Sequence, residues 1–269
     1  MRRHLHNALV SAAGAGAVLA AMGVTTVPVA HADAVTPAVT ETRTFGSPGT
    51  VDFPIPAGVT KISVAAVAAG GGGGGGNTVT QFGFGGGGGA GGGGGATVSC
   101  VLDVSGAKSL KIAVEPGGRG GDGGAGGLFY FSGSNGTGGD PSRVWVDGTE
   151  KVYADWGGGG AYGRHNLTSY AGGPIGTPGY AASSRCEGTG ASIQDGGRDG
   201  PGGDGCVGKL AGHGGKGGEE GTSLSPAGCP FRAGRGGAGG AGGGVGHSSG
   251  YTGPAGYAGC VVLTYTVGS

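Results

Sequence analysis

Seven consecutive glycines at 70–76 follow directly on the apolar run 62–69, Ile-Ser-Val-Ala-Ala-Val-Ala-Ala. A second block, 85–95, is glycine throughout except for Ala90. Glycine has no side chain to bury, ionise or bind a metal, so these segments can act only through their backbone. With 77 glycines in 269 residues, the restriction governs more than a quarter of the chain. Function must then come from backbone packing or from the decorated positions between the tracts.

The tracts are not uniform. Residues 117–127 read Gly-Gly-Arg-Gly-Gly-Asp-Gly-Gly-Ala-Gly-Gly, and 214–218 and 236–243 keep the same Gly-Gly-x rule. In a left-handed threefold helix of the polyproline-II type, every third residue lies on one edge. Arg119, Asp122 and Ala125 would share that edge, leaving two edges of bare backbone to exchange N–H···O=C bonds with neighbours. The composition also suits a flexible linker. Ordering a residue's backbone costs about 1–2 kcal/mol, and a hydrogen bond returns about 0.5–1.5 kcal/mol. A bundle therefore holds only if most amides pair and a folded core anchors the ends. The threefold period, the scarcity of serine and the placement of tracts between strands favour order.

The strands are read from alternation. Residues 51–55 alternate, and Pro54 places that run on a sheet edge. Lys61–Val67, 97–104 and 110–114 follow, with Val98, Cys100, Leu102 and Val104 on one face. Residues 143–146 and 151–156 predict a hairpin across Asp147-Gly148, and Cys260–Val267 closes the chain. No stretch after the N-terminal segment shows a helical period. The pattern is all-β, of about seven or eight strands, in the sandwich or jelly-roll class.

Residues 1–32 read as a secretory signal: Arg2 and Arg3, a small-residue apolar segment 8–24, and Ala30-His31-Ala32 before a cut at Asp33. Residues 33–43 form a short linker and 44–269 the domain. Loss of Arg2 and Arg3 leaves 14 basic against 16 acidic residues, with no basic cluster, so nucleic acid is not the partner. No second apolar span follows, so the mature chain is expected to have no membrane span and to act outside the cell. Cys100, Cys186, Cys206, Cys229 and Cys260 are then expected to form disulfides. Five thiols allow at most two internal bridges, and the fifth offers a route to an oligomer. Connectivity stays open, although Cys100 and Cys260 both lie in strand-like runs and are candidates for neighbours.

Residues 45–64, running into the seven glycines, resemble the opening of glycine-rich domains in secreted bacterial proteins and phage adhesins. A related module occurs in the ectodomain of anaplastic lymphoma kinase-type receptors. The second glycine block leading into 96–100, the 138–144 segment with 153–160, and 253–265 are similar to later elements of that family. The resemblance spans 44–267. It implies a jelly-roll-like antiparallel sandwich carrying a polyglycine-II helix bundle, and binding roles rather than catalysis. The run Ala-Ala-Val-Ala-Ala at 65–69, where an aromatic often stands, the stretch 161–193 and the later cysteines depart from it.

Several motifs fail on context. Residues 246–250 fit G-x-S-x-G, but more glycine and Pro254 follow instead of a helix, and no Asp, Glu or His lies downstream of Ser248. Residues 203–209 resemble a phosphate loop, but Leu210 stands where Ser or Thr is required. Residues 117–122 match the start of a calcium nonapeptide, without a second copy. There is no Cys-x-x-Cys, and His213 is isolated, so neither a metal nor a cofactor is expected. Asn135 and Asn166 head glycosylation sequons. The 161–193 stretch carries Tyr162, Arg164, His165, Tyr170 and Tyr180, candidate ligand contacts on a long loop; the plainer reading is a covering loop. Residues 128–131, Leu-Phe-Tyr-Phe, read as core or strand.

No acid–base pair or triad stands out, so the chain reads as a secreted, non-enzymatic structural or binding module, adhesin-like in character. Its partner is an extracellular protein or a glycan. The alternatives are a largely disordered matrix or coat protein and a secreted hydrolase, the latter requiring Asp155, Arg164 and His165 to converge.

Overall fold

The computed structural model describes residues 38–78, 86–125, 132–163, 176–177, 179–197, 221–243 and 249–267. The signal segment, residues 128–131, the phosphate-loop-like stretch and the serine of the elbow-like motif lie outside them. Ten strands follow in order: β1 (Val39–Phe45), β2 (Gly49–Pro54), β3 (Lys61–Val67), β4 (Thr97–Asp103), β5 (Ser109–Val114), β6 (Ser142–Val146), β7 (Thr149–Ala154), β8 (Arg185–Cys186), β9 (Thr189–Gln194) and β10 (Cys260–Val267). They form two antiparallel sheets, ordered β1-β10-β3-β4-β9 and β2-β5-β6-β7-β8. β1 begins at Val39, inside the segment read as a linker, because its backbone pairs with β10 from Val39↔Val267 to Phe45↔Val261.

The inward rows of the two sheets share one core. Ile62, Val64 and Ala66 of β3 lie between Leu102, Cys100 and Val98 of β4 and Tyr265, Leu263 and Val261 of β10. Leu110, Ile112 and Val114 of β5, with Val144 and Val152, come from the second sheet. Alternation produces this because successive side chains of a strand face opposite ways. Pro54 stands on the edge strand β2, where a missing N–H interrupts no ladder. The β6–β7 turn has φ of 43° at Asp147 and 83° at Gly148, and the Asp147 carboxylate accepts from the amides of Lys108 and Ser109. Among the described residues, no helix is long and apolar enough to cross a membrane.

Two disulfides tie the sheets and their surroundings. Cys100 of β4 bonds Cys186 of β8, joining one sheet to the other across the core, and Cys229 bonds Cys260. Cys100 and Cys260 are therefore not partners. Both flank β3, but on opposite sides of it and in different clusters: Cys100 with Val64 and Leu102, Cys260 with Val67, Val262 and Ala233. Cys206, the fifth, lies outside the described residues.

The glycine tracts are insertions between strands, and their backbones bond in a three-residue rhythm. In the central tract, the amides of Ala68, Gly71, Gly74 and Asn77 donate to Ala96, Gly93, Ala90 and Gly87. Those of Ala69, Gly72 and Gly75 donate to Asp140, Thr137 and Ser134, and those of Gly70, Gly73 and Gly76 to Tyr257, Pro254 and Tyr251. The carbonyls repeat the rhythm: those of Ala69, Gly72 and Gly75 accept from Gly157, Gly160 and Gly163, while those of Gly70, Gly73 and Gly76 accept from Gly118, Gly121 and Gly124. The carbonyls of Gly71, Gly74 and Asn77 accept from Gly237, Gly240 and Gly243. Six segments thus surround the central one. They also bond to each other in turn, 86–96 to 157–161, 157–160 to 136–139, 134–137 to 119–122, 118–124 to 250–256, 251–257 to 235–241, and 237–243 back to 86–92. The ring closes.

The six are antiparallel to their ring neighbours, so the central tract runs parallel to alternate members. Burial makes this pairing obligatory, because a buried amide without a partner costs about 1–3 kcal/mol. The wall-to-wall contact also excludes side chains. A Cβ built on Gly73 would lie 1.7 Å from the Ala238 carbonyl oxygen, and one on Gly72 2.0 Å from that of Arg119.

Candidate recognition surface

The loop residues singled out in the sequence separate. Tyr162 sits at the far end of the 157–163 tract, where its amide donates to Asn135 Oδ1 at 3.0 Å. Tyr180 stands at the other end, 39 % exposed, with its amide bonded to Asp155 Oδ2 at 3.0 Å. Arg164, His165 and Tyr170 lie outside the described residues. Asp155 is buried, its amide donating to Ser184 Oγ and its carbonyl accepting from Ala96. Ser184 Oγ donates in turn to the Tyr180 carbonyl. The Asp155 carboxylate therefore holds a turn in place, a structural role for a residue that an enzyme reading would make chemical.

Side-chain chemistry gathers instead on the outward face of the second sheet. The antiparallel register aligns Thr50, Ala113, Arg143, Tyr153 and Arg185 in one row, and Asp52, Lys111, Trp145 and Glu150 in the next, with a register shift between Val144 and Trp145. Alternation puts these residues outward while Leu110, Ile112, Val144 and Val152 point to the core. The Arg143 and Arg185 guanidinium groups lie 5.3 and 5.2 Å from the Tyr153 ring centroid, so the phenol ring is held between two cations. Glu150 pairs with both arginines, its Oε2 3.8 Å from Arg143 Nε and its Oε1 against Arg185 Nη2. Lys111 Nζ lies 5.5 Å from the Trp145 ring centroid.

The electrostatics follow from the partners. Burial pushes the Tyr153 phenol above its ordinary value, with Asp155 adding and Arg143 pulling the other way. Tyr153 thus stays neutral and keeps its O–H. Lys151 Nζ, 2.7 Å from Glu187 Oε2, holds the Glu187 carboxyl below its ordinary range. Beside this stack the sheet dips into a hollow of about 330 Å³ lined by Lys111, Ala113, Glu115, Asp140, Arg143 and Trp145, among others. The outer face of the first sheet carries a hollow of about 400 Å³ walled by Ser63, Ala65, Ser99, Val101 and Val262, with no ionisable group on its rim. Cation, carboxylate and indole meet only in the first of these two. Among the described residues, no group of acids, histidines and cysteines could hold a metal ion.

Sequence reading had found the hairpin that carries this surface but had not singled out its outer row. The signal was present in the alternation Arg143-Val-Trp145 beside Lys111, where residues of the right type for recognition fall on the solvent side of amphipathic strands.

No curated protein matches the chain. A sequence model of the glycine-rich domain matches residues 44–266, which takes in the strands from the end of β1 to β10 and every tract of the bundle. The chain belongs to the glycine-rich domain family.

Proposed function

We propose that the protein is a secreted, non-enzymatic binding or structural module acting outside the cell, built as a jelly-roll sandwich whose glycine tracts form a polyglycine-II helix bundle. The observation that carries the reading is the closed ring of six segments around residues 68–77. A bundle fixed through its backbone holds few side chains in its interior, chiefly alanine methyls, and leaves Arg119 and Asp122 pointing outward. Such preorganisation lowers the ordering cost of binding. The three-residue rhythm of donors and acceptors supports threefold helices, since every third residue of such a helix returns to the same edge. The two disulfides are in keeping with an oxidising compartment. The Arg143–Tyr153–Arg185 stack supplies residue types that dominate recognition surfaces.

Two measurements on the processed protein test the reading. Mass spectrometry of the culture medium should find a chain beginning at Asp33; an intact N-terminus retained inside cells overturns the extracellular role. Hydrogen exchange should leave the amides of Gly71 to Gly76 among the slowest in the molecule. Exchange there as fast as in an unfolded chain would replace the bundle with a disordered matrix.

A further inference from the structure

The hollow on the second sheet has a floor and an unusual rim. Its floor is Ala113, 5 % exposed, standing in register between Thr50 and Arg143, so a lone methyl between longer side chains creates the depression. Around it stand two cations, Lys111 and Arg143, two carboxylates, Glu115 and Asp140, and the Trp145 indole. These opposite charges do not neutralise one another. Among the described residues, the ion pairs join Arg43 to Glu41, Arg143 and Arg185 to Glu150, and Lys151 to Glu187. Lys111, Glu115 and Asp140 take part in none. Arg143 Nε is buried without a hydrogen-bond partner, because Glu150 stands too far off at 3.8 Å.

Their backbones, by contrast, are fixed. The carbonyl of Asp140 accepts from Ala69 at 3.2 Å and that of Glu115 from Gly259 at 3.1 Å, so the backbone that bears each carboxylate is tied to the end of a glycine tract. Glu115, Asp140 and Lys111 stand outside any ion pair and Arg143 keeps Nε unsatisfied, so the rim carries spare hydrogen-bonding capacity on a fixed backbone, balanced in formal charge, beside the Trp145 ring that Lys111 flanks. A net anion would meet Glu115 and Asp140, and a net cation would meet Lys111 and Arg143. A neutral polyhydroxylated ligand meets neither penalty, since each hydroxyl can donate to a carboxylate and accept from an ammonium or guanidinium. The C–H face of a sugar ring supplies the apolar surface that an indole covers.

We propose that this hollow binds a neutral saccharide. A volume of about 330 Å³ stands at the small end of ligand sites, which run from roughly 300 to 1,000 Å³, so the occupant is one or two pyranose units, such as the end of a longer glycan. Trp145 stacks the ring, Asp140 and Glu115 accept hydrogen bonds from its hydroxyls, and Lys111 and Arg143 donate hydrogen bonds to its oxygens. The proposal deepens the reading of the protein as an extracellular binding module and rests on it.

The chain has two tryptophans, which makes a clean test. Trp156 directs its indole Nε1 toward Gly138 in the bundle and serves as an internal reference. In the ¹⁵N-labelled processed protein, the Trp145 indole signal is followed during titration with methyl glucoside, methyl galactoside, methyl mannoside, N-acetylglucosamine and their disaccharides. Glucuronate and glycine betaine serve as anionic and zwitterionic controls. The expected result is a saturable shift of Trp145 alone with at least one neutral sugar. Asp140→Asn and Glu115→Gln should each weaken that sugar by roughly tenfold or more, with the Trp156 signal and thermal midpoint unchanged. Silence of Trp145 toward every neutral sugar overturns the site, as does a response to betaine or glucuronate alone. A response indifferent to both carboxylate substitutions also overturns it. Failure here is separable from failure of the broader reading. If the exported protein captures an extracellular partner while Trp145 stays silent, the module stands and this site falls. If the chain is not exported, the module falls whatever the titration shows.

Discussion

The glycine run at 70–76 and the Gly-Gly-x run at 117–125 use the same residue for different positions in one packing. The central run has three parallel neighbours, and its Cβ directions point at each in turn: Gly70, Gly73 and Gly76 at the 235–242 segment, Gly71 and Gly74 at 158–161, Gly72 and Gly75 at 118–122. No direction is open, so no position can carry a side chain. In the outer run, Gly118 and Gly121 face the 134–138 segment and Gly117, Gly120 and Gly123 face 250–257, but the third direction meets solvent. Arg119, Asp122 and Ala125 occupy it and are exposed. An uninterrupted glycine run thus marks the centre of the assembly and a Gly-Gly-x run its perimeter. The 86–95 block fits between these cases: Gly86, Gly89, Gly92 and Gly95 face the central tract, while Ala90 is out of step with them.

The largest expected effect tests that distinction directly. Gly73→Ala places a methyl 1.7 Å from the Ala238 carbonyl oxygen. Relief requires moving backbone that is itself bonded on other sides. The cost should exceed the roughly 1–3 kcal/mol of ordinary overpacking, with amide protection lost across the ring. Asp122→Ala, at an open position, should stay within about 0.5 kcal/mol. Equal costs in denaturant unfolding would mean that centre and perimeter are not different environments.

Next come the disulfides, which act on the sandwich rather than the bundle. Cys100 and Cys186 are separated by 86 residues and Cys229 and Cys260 by 31. Loop entropy gives about 4–5 kcal/mol for the first and about 3–4 kcal/mol for the second. Replacing both members of each pair by serine should therefore lower the unfolding midpoint more for Cys100 and Cys186. The reverse order would place the weaker point of the molecule at the loop that Cys229 anchors beside β10.

Legibility in the sequence followed how strictly one face of an element is buried. β3, β4, β5, β10 and the β6–β7 hairpin were readable because Val, Ile and Leu alternate with polar residues over a core. β1 was missed because Val-Thr-Glu-Thr-Arg-Thr-Phe lies on a sheet edge and is mostly exposed. β8 has two residues, and β9 is polar, contains Gly190 and pairs with β4 through a register shift. Which cysteines pair depends on which face of β4 and β10 each occupies and on where β8 and the 226–235 turns come to rest, and the latter is tertiary information. The candidate surface on the second sheet was hidden for the opposite reason to the core. Lys111, the Arg143 and Trp145 pair, and Tyr153 come from three different strands, β5, β6 and β7, and only the register makes them neighbours.

The smallest effect separates side-chain from backbone stabilisation by pH. Lys151 bonds Glu187 across the β7–β8 edge, and this holds the Glu187 carboxyl below its ordinary range. A depressed folded value means that the pair's contribution is present above the unfolded carboxyl pKa and is lost as pH falls through the folded one. The pair is solvent-exposed, so the effect is small and weakens with salt. Lys151→Gln should lower the thermal midpoint slightly at neutral pH, and the gap from wild type should close in acid. Gly70 to Gly76 carry no titratable group. Once intrinsic exchange rates are corrected for pH, amide protection in the central tract should hold constant across the interval in which β8 loosens. A parallel loss at both places would show that the bundle depends on the charged edge of the sandwich and is not held by its own backbone.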